Sequence, residues 1–412
     1  MLDRVDYTAL DRAKNAFIEA GKRTRNFAAK FGFMPGDFGG SANVFALDLK
    51  AFAGAEALYM TLLPEGLGTA DDARPDDLTS EELVRFWKNI GGKTMSVLTN
   101  DAASAGMQTV LISLYLPSAT VEAVFSKEFM SGFLDGFVAG CEKVGCVYFS
   151  GETPQLKGKI VEGKLDIAGA LWGVVPAGAR PVDSSELRAG DFIVFVESSG
   201  PHENGFTTLR DLATRLPQGY RTKLPGGMEY WEAINQPGHL YTPLVQAVMA
   251  AGIQPSNVEP ITGHGWQKLM RPKGAFRYVV EEVLPVPEIF TFVEETSGLS
   301  KEVMLRTFNY GVGLALYVHT KEEAEKVVAV ADGLNLKACV AGHVEAAEVR
   351  EVVVKSLGVT IKGDGFELGK YVLNSSCHSD FFGINQLLNF IRLVLSNKWR
   401  LISNRFIKIL MA

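Results

Sequence analysis

The chain has 412 residues, of which 47% are hydrophobic and 21% charged, and its formal net charge is −6. This length and composition indicate a globular protein large enough for two domains, and the acidic balance excludes the electrostatic footprint of a nucleic-acid-binding protein. The four cysteines lack Cys-x-x-Cys spacing, and the N-terminus has no secretory pattern, so we expect a cytoplasmic protein.

The first thirty residues carry a helical pattern, with apolar residues on one face and basic residues around the rest. A glycine-rich segment, residues 36–41, follows this helix and contains Gly39 and Gly40. A glycine-rich segment before a strand folds over phosphate groups in some proteins and forms a tight turn in others. Both interpretations remain open from the residues alone.

Residues 58–69 run from an apolar strand into Glu65, Gly66, Leu67, Gly68 and Thr69. A carboxylate beside glycines at a strand end suits a magnesium nucleotide, because Mg²⁺ takes hard oxygen ligands and bridges phosphate oxygens.

Two further carboxylates follow at element ends. Asp101 comes after Asn100 and precedes a predicted small-residue helix and an apolar strand, so that it is either a ligand or the N-cap of this helix. Residues 121–145 form an amphipathic helix whose aromatic residues belong to the core. Glu152 follows the next strand and its tight turn.

Residues 191–205 read DFIVFVESSGPHENG. The unbroken apolar run 192–196 predicts a strand covered on both faces. The loop after it offers glycines that allow close backbone approach, the amide of Asn204, and the imidazole of His202, which titrates near neutral pH. The pattern indicates a phosphate or acid–base loop, or else a solvated turn, followed by a helix.

Three later segments complete the candidate residues. Residues 217–239 form a Pro/Gly-punctuated insertion on which we expect His239 to be exposed. His264 lies between two glycines, where it can hold an anion or a proton donor or serve only a structural turn. Asn309 lies in the turn of VMLRTFNYGVG, which packs against a nucleotide or against a sheet.

The last stretch, residues 381–412, mixes large apolar residues with five cations and no acidic residue. Such an amphipathic basic pattern occurs at membrane surfaces. Packing on a partner chain, or a poorly ordered extension, accounts for it better than membrane contact.

Several of these segments resemble the aminoimidazole ribonucleotide (AIR) synthetase family, the phosphoribosylformylglycinamidine cyclo-ligases. Residues 198–205 resemble its Ser-Ser-Gly-Pro-His-Ser-Asn-Gly loop with Glu203 in place of a serine, and residues 303–313 match its Met-x-Arg-Thr-Phe-Asn-x-Gly-Val-Gly segment. Residues 65–69 resemble its Asp-Gly-Val-Gly-Thr-Lys segment, with Glu65 for aspartate and Ala70 for lysine. The matches run in order over about residues 30–355, so the chain is identified as a divergent member.

The resemblance implies an α/β (α+β) fold of two AIR-synthetase-like domains. These are an ATP-binding domain at residues 1–180, whose sheet pairs with its twin across a homodimer, and an α/β domain at residues 181–365. Residues 366–412 form an extra basic tail.

The resemblance also implies an ATP- and Mg²⁺-dependent ring closure of formylglycinamidine ribonucleotide in purine biosynthesis. The implied catalytic residues are His202 and His264, and the implied metal ligands are Glu65, Asp101 and Glu152. The implied nucleotide-binding residues are Gly39, Gly40, Gly66, Gly68, Thr69, Asp101, Glu152, Asn204 and Asn309.

Two alternatives stay open at this point. One is another ATP-dependent enzyme of the same superfamily, such as selenophosphate synthetase or thiamine-phosphate kinase. The other is a paralogue that binds a nucleotide without turnover. Ala70 in place of lysine, and the acidic run from Asp71 to Asp77, favour this second alternative.

Overall fold

The computed structural model describes residues 7–38, 42–55 and 57–363 of the chain. The helices of its first half are α1 (Tyr7–Thr24), α2 (Ser80–Ala103), α3 (Val121–Val124) and α4 (Lys127–Val144). The strands of this half are β1 (Phe33–Pro35), β2 (Phe45–Leu47), β3 (Met60–Gly66), β4 (Gln108–Tyr115), β5 (Val147–Glu152) and β6 (Ala168–Val174). Gly39, Gly40 and the tail at residues 366–412 lie outside the described residues.

The long helix α2 begins at a capping box. The Thr79 side chain accepts a hydrogen bond from the Glu82 N–H, and the Glu82 side chain accepts one from the Thr79 N–H. Glycines bring α2 and α4 into close contact: a Cβ on Gly136 would lie 1.9 Å from the carbonyl oxygen of Lys88. This contact fixes α2, which carries several residues of the candidate site.

Strands β3, β6, β4 and β5 form the first sheet in that order, with β4 and β5 parallel and the other pairs antiparallel. Helices α2 and α4 pack on one face of this sheet through the main hydrophobic core. On the opposite face Leu62 and Tyr115 are 73% and 45% exposed, and the ring of Phe33 on β1 covers Trp172 at one end. Part of an apolar sheet face is therefore open to solvent.

The second half forms its own sheet, and its helices lie mostly between the strands in sequence. The helices are α5 (Phe206–Ala213), α6 (Tyr230–Ile234), α7 (Thr242–Ala250), α8 (Glu288–Ser297), α9 (Lys301–Thr307) and α10 (Lys321–Gly333). The strands are β7 (Phe192–Glu197), β8 (Asn257–Pro260), β9 (Phe276–Val280), β10 (Val312–Val318), β11 (Ala338–Ala346), β12 (Glu351–Val354) and β13 (Val359–Lys362).

The order in this second sheet is β13-β12-β9-β11-β7-β10-β8. Strand β7 therefore lies inside the sheet, antiparallel to both β10 and β11, and the side chains of residues 193–196 are fully buried. The prediction of a strand covered on both faces is confirmed. Both sheets belong to one compact unit of the described chain. Among the residues described, no helix combines the length and apolar character needed to cross a membrane.

Candidate active site

A cavity of about 280 Å³ lies where the C-terminal part of α2 meets the end of β3, the loop after β7 and the segment after β8. Several of the candidate residues, drawn from both halves of the chain, line it together. They are Glu65, Gly66, Gly68, Asp101, His202 and Asn204.

The two carboxylates of the cavity come from different elements. Glu65 is near the end of β3, and Asp101 is in the last turn of α2. The alternative in which Asp101 caps the start of a helix is wrong, because the helix ends rather than begins there. Burial raises the pKa of Glu65, the charge of Asp101 raises it further, and Lys268 acts in the opposite direction. The two carboxylates therefore interact electrostatically.

This pair of carboxylates fits Mg²⁺ as part of its ligand set. Across the described ranges, no group of three or more His, Cys, Asp or Glu side chains is arranged to hold a metal ion. Mg²⁺ is commonly held by one or two carboxylates together with waters and the phosphates of its substrate. Glu65 and Asp101 match the carboxylate part of that donor set.

His202 has a constrained conformation inside the cavity wall. Its φ is 56°, its side chain is 2% exposed, and its Nε2 accepts a hydrogen bond from the Ser199 N–H at 3.3 Å. Burial lowers the pKa of His202 well below its usual range, and His239 and Lys93 lower it further. The ring is therefore neutral at pH 7, and its proton is on Nδ1 because Nε2 is an acceptor.

His239 packs against this imidazole instead of being exposed. The rings of His202 and His239 lie 6.3 Å apart, and both contact Tyr241. The backbone around His239 is fixed by Asn100 of α2, whose Nδ2 donates to the His239 carbonyl at 2.8 Å. The predicted exposure of His239 is wrong because the 217–239 insertion folds back onto α2.

Asn309 does not line the cavity, but it holds the loop that does. Its Oδ1 accepts a hydrogen bond from the Ser198 hydroxyl and its Nδ2 donates to the Gly200 carbonyl, each at 2.8 Å. Gly313 on the adjoining strand has no room for a side chain, because a Cβ there would lie 1.8 Å from the Tyr241 hydroxyl. The family resemblance predicted that Asn309 contacts the nucleotide, and it did not indicate this bridging role.

Several polar side chains of the cavity region were not among the predicted residues. Ser96 and Glu203 line it, and the Ser96 hydroxyl donates to Oε1 of Glu203 at 2.5 Å. The fully buried Lys93, one turn before Ser96 on α2, donates to the carbonyl oxygen of His202. The only sequence signals were a lysine among small residues of a helix and a glutamate in place of the family's serine.

A second buried lysine lies next to the cavity. Lys268 is 5% exposed, and its ammonium donates to the hydroxyl of Thr262, which lines the cavity. Burial lowers the pKa of Lys268, whereas the nearby charges of Glu259 and Asp101 raise it. Glu259 also pairs with Arg271, whose guanidinium nitrogen is 3.0 Å from its carboxylate.

The remaining predicted residues lie elsewhere. Glu152 lines a different cavity of about 580 Å³, together with Lys14 of α1 and Phe38. Thr69 is exposed and precedes a short 3-10 helix, Ala70–Asp72. His264 is exposed in a left-handed turn with φ of 71°, two residues after Thr262.

This chain is similar to several known proteins. Residues 76–175 match the family described as AIR synthase related protein, N-terminal domain. The phosphoribosylformylglycinamidine cyclo-ligase of Anaeromyxobacter dehalogenans (strain 2CP-C) is 30% identical over 315 residues, which cover 76% of this chain and 86% of that protein. That of Gloeobacter violaceus is 28% identical over 292 residues, covering 70% and 81%.

Solved structures share the fold at lower identity. E. coli HypE, a hydrogenase maturation protein, has a TM-score of 0.56 at 19% identity, covering 86% of this chain and 96% of HypE. Thiamine-monophosphate kinase from Stenotrophomonas maltophilia K279a has a TM-score of 0.52 at 15% identity, covering 82% and 96%. The expected two-domain AIR-synthetase-like fold is confirmed, and with 30% identity over most of a curated relative the chain belongs to the phosphoribosylformylglycinamidine cyclo-ligase family.

Proposed function

We propose that this chain catalyses the ATP-dependent ring closure of formylglycinamidine ribonucleotide to aminoimidazole ribonucleotide, with release of ADP and phosphate. The observation that carries the proposal is the shared cavity of Glu65, Asp101, His202 and Asn204. It joins a donor set for Mg²⁺ to a neutral imidazole and a carboxamide. The family membership supports the choice of this reaction over others of the same fold.

Glu65 and Asp101 would hold Mg²⁺ together with phosphate oxygens of ATP. When bound, the ion screens the charge of the phosphoryl group that is transferred to the formamide oxygen. Gly66 and Gly68 follow Glu65 at the cavity wall and leave space for phosphate beside the backbone. These residues act as the phosphate end of the proposed nucleotide site.

The lysine that the family carries after this loop is replaced by Ala70, which is fully buried. Lys268 supplies a positive charge from another direction, since it interacts electrostatically with both Glu65 and Asp101. Thr262, which accepts its hydrogen bond, is part of the cavity lining. We therefore assign the charge-balancing role to Lys268.

His202 acts as a hydrogen-bond donor in this proposal. A neutral ring with its proton on Nδ1 stabilises negative charge on oxygen at the ring-closing carbon, and the Asn204 carboxamide adds a second donor. His264 remains a proposed catalytic residue, two positions after Thr262, which lines the cavity.

Glu152 remains a proposed nucleotide contact, together with Gly39, Gly40 and Thr69, whereas Asn309 would act on the nucleotide only through the loop that it supports. Phe38 directly precedes the glycines and shares the larger cavity with Glu152. An aromatic ring and a carboxylate in one cavity suit the base and ribose of a nucleotide. We further propose domains at residues 1–180 and 181–365, followed by the extra tail at 366–412.

A homodimer is part of the proposal. On β3, Leu62 is 73% exposed, and β-pairing places it on the same sheet face as Pro64 and Tyr115. An apolar sheet face left open in a monomer is covered when a second copy packs on it.

The alternative of a nucleotide-binding protein without turnover also has a supporting observation. Ala70 is fully buried among core residues, so this backbone position has no space for the lysine side chain of the family. Such a protein binds MgATP and yields neither ADP nor aminoimidazole ribonucleotide.

The test is to incubate the protein with MgATP and formylglycinamidine ribonucleotide while following ADP and aminoimidazole ribonucleotide together. Product from the wild type, and its loss in His202→Ala and Glu65→Ala, is the expected result. ADP without the imidazole product would indicate another acceptor within the superfamily. Binding of ATP with no product in either channel would reject the enzyme in favour of the binding protein.

A further inference from the structure

Glu203 is the carboxylate of the cavity that the proposed metal site does not use. It lines the cavity beside Asn204 and is half-buried. Its Oε1 accepts the hydrogen bond of Ser96, so the carboxyl group is held on the α2 side of the cavity. The corresponding loop of the AIR synthetase family carries a serine at this position. The carboxylate therefore distinguishes this chain from the family pattern.

Lys93 also holds the loop that carries Glu203. Its ammonium donates to the His202 carbonyl, one residue before Glu203, and lies 5.1 Å from the ring centroid of Phe206. Lys93 and Ser96 are three residues apart on α2 and therefore face the same side of the helix. A buried ammonium and a hydroxyl thus act on the same short loop from one helix turn.

The charges around Glu203 leave it poised to exchange a proton. Burial raises the pKa of Glu203, while Lys93 and the Ser96 hydrogen bond lower it. Asp101 raises it further, and the hydroxyl of Tyr241 is a neutral neighbour whose own pKa is raised by burial and by Glu203. A carboxyl group in such surroundings takes up a proton nearer to neutral pH than an exposed glutamate does.

The other polar groups are committed to different tasks. Nε2 of His202 already accepts the Ser199 N–H, so the neutral ring offers a donor and no acceptor of its own. Glu65 and Asp101 are the proposed Mg²⁺ ligands. Among the cavity-lining residues of the described chain, Glu203 is the carboxylate left to accept a proton.

We propose that Glu203 is the general base of the ring closure, and that Ser96 and Lys93 are its positioning residues. This inference rests on the proposed function. The amidine nitrogen forms a C–N bond to the formyl carbon, whose oxygen carries the phosphoryl group; the C–O bond between that carbon and that oxygen then breaks, and phosphate leaves with the electron pair. The proton lost by the nitrogen passes to the Glu203 carboxylate and then to water.

The experiment compares wild type with Glu203→Gln, which keeps the shape of the side chain, and Glu203→Ala, which opens space for formate. Glu186→Gln, an exposed glutamate before β7, is the matched control. Each protein is assayed for kcat of aminoimidazole formation, for the Kd of MgATP and for its unfolding midpoint. These last two measurements exclude a variant that has failed to fold.

We expect kcat to fall at least a hundredfold in Glu203→Gln while the Kd for MgATP stays within twofold. We expect added formate to raise the kcat of Glu203→Ala at least tenfold, because formate can take the place of a missing carboxylate. Activity of Glu203→Gln within threefold of wild type, or a loss that formate does not restore, would overturn the assignment and leave the cyclo-ligase standing. No ring closure by wild type would overturn both.

Ser96→Ala and Lys93→Met test the positioning role. Removal of the hydroxyl or of the ammonium takes away an interaction that favours the ionised carboxylate. In the pH profile of kcat, we therefore expect the acidic limb to move to higher pH in both variants. Lower kcat with an unmoved acidic limb would indicate a structural role for these residues and overturn their assignment.

Discussion

Asn309 and Ser198 are joined by a hydrogen bond of 2.8 Å between the Ser198 hydroxyl and the carboxamide oxygen, although 111 positions separate them in the chain. The same carboxamide donates to the carbonyl of Gly200, so one side chain fixes the backbone on both sides of Ser199. That loop continues into His202 and Glu203. The most specific segment of the family resemblance therefore supports the loop that carries the proposed chemistry.

We expect Asn309→Ala to lower the free energy of unfolding by about 2–4 kcal/mol, because it removes the hydrogen-bond partner of three buried polar groups. Urea unfolding of the variant measures this, with the exposed Asn26→Ala as the matched control. The loop would also lose its fixed geometry, so kcat should fall more than the affinity for MgATP. A change in stability below about 0.5 kcal/mol would show that the bridge does not support the loop.

The two proposed Mg²⁺ ligands and Glu152 differ in location, and this predicts different metal dependence. Glu65 and Asp101 share the cavity with His202, whereas Glu152 lines the other cavity. We expect Glu65→Gln and Asp101→Asn to raise the Mg²⁺ concentration for half-maximal ADP formation by roughly tenfold or more, about 1.4 kcal/mol of binding free energy each. Glu152→Gln should leave it unchanged. An equal shift in Glu152→Gln would make Glu152 a third ligand.

Asp71 predicts a distinct dependence of stability on pH. Burial raises the pKa of Asp71 to about 7, and the charge of Asp72 adds to this effect. The folded state therefore binds the proton more tightly than the unfolded state does. The resulting stabilisation is complete below the unfolded pKa of 3.8 and is lost as the pH rises through about 7.

We therefore expect Asp71→Asn, which stays neutral, to gain stability relative to wild type by about 2.5 kcal/mol between pH 5 and pH 8. Urea unfolding at the two pH values checks this result. The exposed Asp76→Asn is the control, for which no such gain is expected. A constant difference between Asp71→Asn and wild type would mean that Asp71 remains ionised throughout the range.

The open face of the first sheet predicts the effect of a charge on assembly. Leu62→Glu places a carboxylate at the centre of the proposed dimer contact, where its desolvation opposes association. We expect sedimentation equilibrium to give a dimer for wild type and a monomer for this variant. Leu334→Glu, at the 39% exposed Leu334 after α10, should remain dimeric. A monomeric wild type would reject the dimer itself.

Much of the architecture followed from local patterns. The apolar run at residues 192–196 specified a buried strand, because unbroken hydrophobicity is stable only when both faces of a strand are covered. The aromatic residues of α4 specified a core helix through their helical spacing. The order of the family segments specified the two-domain fold, and it singled out Glu65, Asp101, His202 and Asn204 as residues of interest.

Other features depended on contacts between distant parts of the chain. Lys93 lies in a helix among small residues, and only the packing of α2 against the loop after β7 makes it a buried cation beside Glu203. Likewise, only the fold places Glu152 in a separate cavity and turns His239 inward. The sequence determines which chemical groups a segment carries and whether it forms a helix, a strand or a turn. The tertiary structure decides burial and neighbours, and these set the charge of each group and what it can do.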